Sequence, residues 1–118
     1  MYSAKILDHF HHPRHVGEIE RPTAVIEAAN PICGDTLKLW VVQEGSRIAE
    51  SQFKAQGCVP AIACGSWLAE WIRGKTTSEL RPLSPEEIEE ALDGLPPASR
   101  HAAVLAAECL RGLLEKLA

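Results

Sequence analysis

The sequence has no surplus of positive charge: twelve Lys and Arg stand against sixteen Asp and Glu, for a formal net charge of −4 and a pI near 5.7. Its basic residues are scattered, which argues against a nucleic-acid binder, since affinity for phosphate comes from grouped cations. A signal-peptide core is also missing. Met1-Tyr2-Ser3-Ala4-Lys5-Ile6-Leu7-Asp8-His9 breaks its short apolar run with charge, and the composition is unlike that of a membrane-spanning chain, so the expected location is the cytoplasm with no membrane contact. Internal repeats, low-complexity tracts and signs of a second domain are absent as well. No Ser-His-Asp order, Gly-rich phosphate loop or carboxylate pair stands out, and the chain is not expected to be an enzyme.

What is present suffices for one globular domain over residues 1–118, with 46% apolar and 24% charged residues. A chain of this length buries an adequate core without metal or disulfide support, so a bound metal would serve function before stability. The four cysteines could make two disulfides in a secreted protein. Without an export signal, metal or sulfur chemistry is the better expectation.

Periodicity predicts an α+β fold, a three-stranded antiparallel sheet packed by about five helices. Residues 3–10 put Ile6, Leu7 and Phe10 on one helical stripe that Pro13 stops. Residues 24–29 read as a strand ended by Asn30-Pro31, and residues 36–43 and 47–55 as a hairpin about Glu44-Gly45-Ser46. Such short connections impose antiparallel pairing. Residues 61–73 carry Cys64, Trp67, Leu68, Trp71 and Ile72 on one face, with Gly74 as the stop. Two capping boxes, Thr76 with Glu79 and Ser84 with Glu87, predict two short helices, the second begun by Pro85 and ended by Gly94. A last helix follows Leu95-Pro96-Pro97, with Val104, Ala107, Leu110, Leu114 and Leu117 on one stripe.

The chemistry-bearing residues sit at turns. Cys33 lies in Asn30-Pro31-Ile32-Cys33-Gly34-Asp35, where Pro and Gly turn the chain and present a thiol and a carboxylate between two strands. Cys58, in Gly57-Cys58-Val59-Pro60, precedes a helix whose amino end favours a thiolate. His101 opens the last helix. Two thiols, one carboxylate and one imidazole are acceptable to zinc or iron, although their spacing is not that of a zinc ribbon.

Several motifs in order, Tyr2-Ser3, Asp8-His9-Phe10, Pro13-Arg14-His15-Val16-Gly17, Asn30 to Asp35, Phe53-Lys54-Ala55-Gln56-Gly57-Cys58 and Leu95-Pro96-Pro97, resemble the IscU and NifU amino-terminal scaffold family over nearly the whole chain. The resemblance implies that family's fold. It also implies a carrier that takes sulfur from a cysteine desulfurase, builds a [2Fe–2S] cluster on three cysteines and an aspartate, and passes it to recipient apoproteins. Carried over residue by residue, the ligands are Cys33, Asp35 and Cys58, with His101 as the helix-start histidine. The family's third cysteine follows that histidine, and here the position is Ala102. Alanine can neither ligate iron nor accept a persulfide. Leu95-Pro96-Pro97-Ala98-Ser99 also lacks the lysine of the family's chaperone stretch, which puts recognition by the usual Hsp70-type chaperone in doubt.

Cys64, six residues after Cys58 and in the first turn of its helix, is the better substitute for the missing thiol, since the helix end would lower its pKa. Core packing explains it equally well. Cys109, about 10 Å further along the last helix than Ala102, is too far. His9, His11, His12 and His15 are expected to be solvated or structural rather than ligands. Three functions compete: a scaffold or carrier of iron or a [2Fe–2S] cluster, with a shared cluster in a homodimer left open; a paralogue holding Zn²⁺ on Cys33, Asp35, Cys58 and His101; and a protein that docks to the desulfurase without productive sulfur transfer. A Cys58–His101 hydrolase is conceivable but lacks an orienting third group.

Overall fold

Alternating inward residues build the sheet. In the computed structural model, which describes residues 1–117, β1 (Ala24–Ala29), β2 (Thr36–Glu44) and β3 (Arg47–Gln56) pair antiparallel in the order β1-β2-β3. Ile26, Leu37, Leu39, Val41, Ile48 and Phe53 are buried in the common core. The expected hairpin is present, with a register irregularity between Val42 and Gln43. Because β2 is central, Thr36 at its start is paired with Ala29 on one side and Gln56 on the other. The outer edge of β3 is satisfied by flanking chain: Phe53 N–H donates to His15 O at 2.8 Å, and Ile48 N–H to Lys75 O at 2.9 Å.

Helix α1 (Ala4–His11) precedes the sheet, and α2 (Val59–Ile72), α3 (Pro85–Ala91) and α4 (Arg100–Leu117) follow it, with a short 3₁₀ turn at Pro97–Ser99. Ser3 caps α1 by accepting from Ile6 N–H at 3.1 Å and ties it to α3 by donating to Leu92 O at 2.5 Å. Helix α2 is buried almost all round, and at Gly65 it approaches the sheet so closely that a Cβ would meet Leu37 Cδ1 at 2.8 Å and Phe53 Cδ2 at 2.9 Å. Trp67 and Trp71 lie at the margin instead, stacked with centroids 5.8 Å apart and with Lys75 over Trp71 at 4.5 Å. No helix among the described residues is long and apolar enough to cross a membrane.

Two expectations need correction. The Thr76 box forms its reciprocal bonds, Thr76 N–H to Glu79 Oε1 at 2.8 Å and Glu79 N–H to Thr76 Oγ1 at 3.2 Å, yet it closes only a turn. Pro82 forces Arg81 away from helical geometry, so nothing propagates beyond Leu80. Among the described residues there are therefore four α-helices and one 3₁₀ turn, against about five helices expected. In α4, Val104 is 40% exposed, while Ala103, Ala106, Cys109, Leu110 and Leu113 are buried. The helix wedges among β1, α2 and α3; of the expected stripe Ala107 and Leu110 are buried and Leu114 and Leu117 pack against the core, so Val104 is the member that departs from it.

The amino-terminal histidines behave as structural residues. Arg14 N–H donates to the fully buried Ser66 Oγ at 2.8 Å, which leaves the Ser66 hydroxyl proton for His9 Nδ1 at 2.7 Å. A neutral His9 satisfies both groups. Burial lowers the His9 pKa, and nearby Arg14 adds to this against Glu70 and Asp8. In the unfolded chain the imidazole titrates near its ordinary value of about 6.5. Between that value and the lower folded one the unfolded state binds more protons, so stability is full above about pH 6.5 and falls as pH drops through this window.

Thermal melts from pH 7.5 to 5.5 should therefore show acid destabilisation, and His9→Gln should flatten part of that slope. Gly65→Ala should destabilise by about 1–3 kcal/mol through overpacking, measured by urea unfolding.

Candidate metal centre

The double pairing of Thr36 sets the geometry. It brings the β1–β2 loop and the β3–α2 junction to one end of the sheet, with Asp35 immediately before the paired segment and Gly57-Cys58 immediately after it. Gly57 has φ +144°, and a Cβ there would meet the Asp35 carboxylate carbon at 2.4 Å. The carboxylate thus occupies the space a side chain at residue 57 would need. Cys58 is the N-cap of α2, and His101 lies in the first turn of α4.

These elements converge. A Cys33 Sγ, an Asp35 carboxylate oxygen and a His101 ring nitrogen all lie within 4.8 Å of one another. Cys58 Sγ is 3.3 Å from Asp35 Oδ2 and 3.7 Å from His101 Nε2, and that nitrogen is 3.5 Å from Asp35 Oδ2. Cys33 and Cys58 therefore each stand beside the Asp35–His101 pair, Cys58 outside the group of three that Cys33 completes. Asp35 is only 7% exposed, and among the described residues no Lys or Arg pairs with its carboxylate. A buried carboxylate surrounded by thiols and an imidazole, without a fixed cation, matches the donor set of a metal site. Cys33 is exposed, Cys58 and His101 partly so.

The thiols depart from expectation. Burial pushes the Cys58 thiol up and the Asp35 carboxylate adds to this, together outweighing the Ala61 N–H that favours thiolate. The amino end of α2 therefore does not by itself produce a thiolate; a bound cation would supply the missing positive charge. Cys64 is 1% exposed, and burial pushes its thiol up to about 12 instead of the helix end pulling it down. It packs in the core, outside the group of Cys33, Asp35 and His101 but near enough to Cys58 for that thiol to add to the upward push. Cys109, fully buried, is likewise pushed up to about 12. Ala102, at the position after His101, is 1% exposed and belongs to the same core.

Asn30 was legible only as a strand terminator, but it does more. Its Oδ1 accepts from Ile32 N–H at 2.9 Å and Cys33 N–H at 3.4 Å, its carbonyl accepts from Gly34 N–H at 2.8 Å, and its own N–H donates to Asp35 O at 2.8 Å. The space Gly57 leaves for Asp35 was also not read from the sequence, because it depends on a neighbour from another strand.

The model of the NifU-like N terminal domain matches residues 1–116. The chain belongs to this family. Among its relatives is the iron–sulfur cluster assembly scaffold protein IscU 1 of Archaeoglobus fulgidus, 40% identical over 94% of this chain and 72% of the relative. The iron–sulfur cluster assembly scaffold protein IscU of Escherichia coli K12 is 33% identical over 96% of this chain and 91% of its own length. The fold also matches the amino-terminal part of a NifU-like protein from Brucella abortus, with a TM-score of 0.71 at 20% identity, covering 98% of this chain and 95% of that one. The family's α+β architecture, expected from the sequence, is the one observed.

Alkylation with iodoacetamide read by mass spectrometry should modify Cys33 first and Cys58 more slowly. Cys64 and Cys109 should stay unmodified until the protein is denatured.

Proposed function

We propose that the protein is an iron–sulfur cluster assembly scaffold or carrier, holding iron or a [2Fe–2S] cluster as cargo on Cys33, Asp35, Cys58 and His101. The supporting observation is the convergence of two thiols and an imidazole on a buried carboxylate with no Lys or Arg partner, in a chain whose relatives are named as scaffolds. The role is that of a carrier, not an enzyme. Two soft thiolates favour iron–sulfur chemistry, while a carboxylate and an imidazole hold it less firmly than thiolates would, which suits cargo that must leave.

Cys33 at the exposed edge gives sulfur and iron a way in, with a cysteine desulfurase as the sulfur donor and apoproteins as recipients. The cytoplasm is the setting this reading assigns. The segment from Leu95 to Ser99, lacking the lysine, is not offered as an Hsp70-type chaperone site. Cys64 is not needed as a ligand, since its thiol is buried and held protonated.

Ala102 favours a second reading, a paralogue that holds one Zn²⁺ on the same four residues and docks to a desulfurase without building a cluster. Tetrahedral zinc accepts two thiolates, a carboxylate and an imidazole. Anaerobic reconstitution with iron and sulfide, followed by visible absorption, Mössbauer spectra and metal analysis, separates the two. The scaffold reading expects a stoichiometric cluster in the wild type, lost in Cys33→Ala and Cys58→Ala and kept in Cys64→Ala. A single tightly held zinc in the wild type, with a cluster only in Ala102→Cys, would establish the second. The mass of the loaded sample shows whether two copies share one cluster.

A further inference from the structure

Cys58 is the cap of α2 and His101 lies within α4, while Asp35 directly precedes the doubly paired Thr36 and is 7% exposed. Cys33 is different. It sits in a loop whose residues Pro31, Ile32, Cys33 and Gly34 are all exposed, Ile32 at 95%. Core packing therefore cannot hold its sulfur near Asp35 and His101; hydrogen bonding within the loop must do it. The hydrogen bonds found inside this loop converge on one residue. Asn30 closes the neck through its backbone, N–H to Asp35 O and carbonyl to Gly34 N–H, each at 2.8 Å. Its side-chain Oδ1 then reaches inward to the Ile32 and Cys33 amides at 2.9 and 3.4 Å.

We infer that Asn30 is the positioning residue of the metal centre: its side-chain oxygen holds the Cys33 thiol in place before metal arrives. The inference rests on the proposed metal reading and adds a specific requirement to it. Only the side chain is at issue, because any residue at this position keeps the two backbone bonds. An alanine leaves the Ile32 and Cys33 amides to water, and the loop then samples arrangements in which Cys33 has left the other donors. Metal capture must afterwards supply the ordering that the asparagine had supplied in advance. An aspartate at the same position keeps an oxygen at Oδ1 and restores the bonds.

The test titrates anaerobic apoprotein with Co²⁺, read by the thiolate-to-cobalt charge-transfer band, alongside thermal melts of the same apoproteins. Asn30→Ala should weaken cobalt binding by about 10- to 100-fold, the range for removing a partner that orients a ligand. The apoprotein melting temperature should stay near that of the wild type, since Pro31, Ile32, Cys33 and Gly34 are exposed and outside the core. Amide exchange of Ile32 and Cys33 should quicken. Asn30→Asp should restore affinity, whereas Asn30→Ala with Ala29→Asp, which adds the charge beside the loop without the acceptor in place, should not.

Equal cobalt affinity in wild type and Asn30→Ala would overturn the inference while leaving the metal centre intact. So would rescue by the Ala29→Asp control as complete as that by Asn30→Asp. A wild type with no thiolate-to-cobalt band would overturn the metal reading itself, and this one with it.

Discussion

Thr36 is bound on both sides, opposite Ala29 in β1 and Gln56 in β3, and the candidate centre depends on that double register. A slip of one residue in either pairing would turn the inward side chains of that strand toward solvent, so the buried set Leu37, Leu39, Val41 and Phe53 pins it. The hydrophobic core thereby positions polar chemistry that lies outside it. Asp35 and Gly57 meet as neighbours because the strands on which they border cannot slide. The glycine is required because the carboxylate fills the place of its side chain.

Burying a carboxylate without a fixed cation is costly. Here Asp35 receives a hydrogen bond from the Cys58 thiol and has the His101 imidazole nearby, while the core supplies stability from elsewhere. The same arrangement keeps Cys58 protonated more firmly than an exposed thiol, until a cation reverses the local field. Two donors at helix starts, one buried carboxylate beside the paired strands and one thiol on an exposed loop make a site that is buried on one side and open on the other. This asymmetry is consistent with loading and release.

Much of the fold could be read directly. Alternation around Glu44-Gly45-Ser46 located the hairpin, the Ser84 box and Pro85 located α3, and the turns at Cys33 and Cys58 pointed to candidate donors. The failures come from context that the local rule does not weigh. Thr76 and Glu79 obey the local capping rule, but Pro82 decides that no helix follows. The stripe expected on α4 packs on the core except at Val104, which is 40% exposed. Cys58 and Cys64 were expected to be acidified by a helix end. Burial, which no local rule measures, outweighs that effect at both.

The sequence by itself determined most of the element types, the family and which four residues are candidate donors, because these follow from short-range periodicity, turn chemistry and motif order. Only the tertiary structure decided that Asp35 lies under Gly57 and beside Cys58, that Cys64 and Ala102 belong to the core, and that Asn30 binds both sides of the Cys33 loop. Apart from the Asn30 bonds, which stay within one loop, each of those facts is a distance between atoms far apart in the chain or a degree of burial. Both are set when β1, β2, β3 and α4 close around one core.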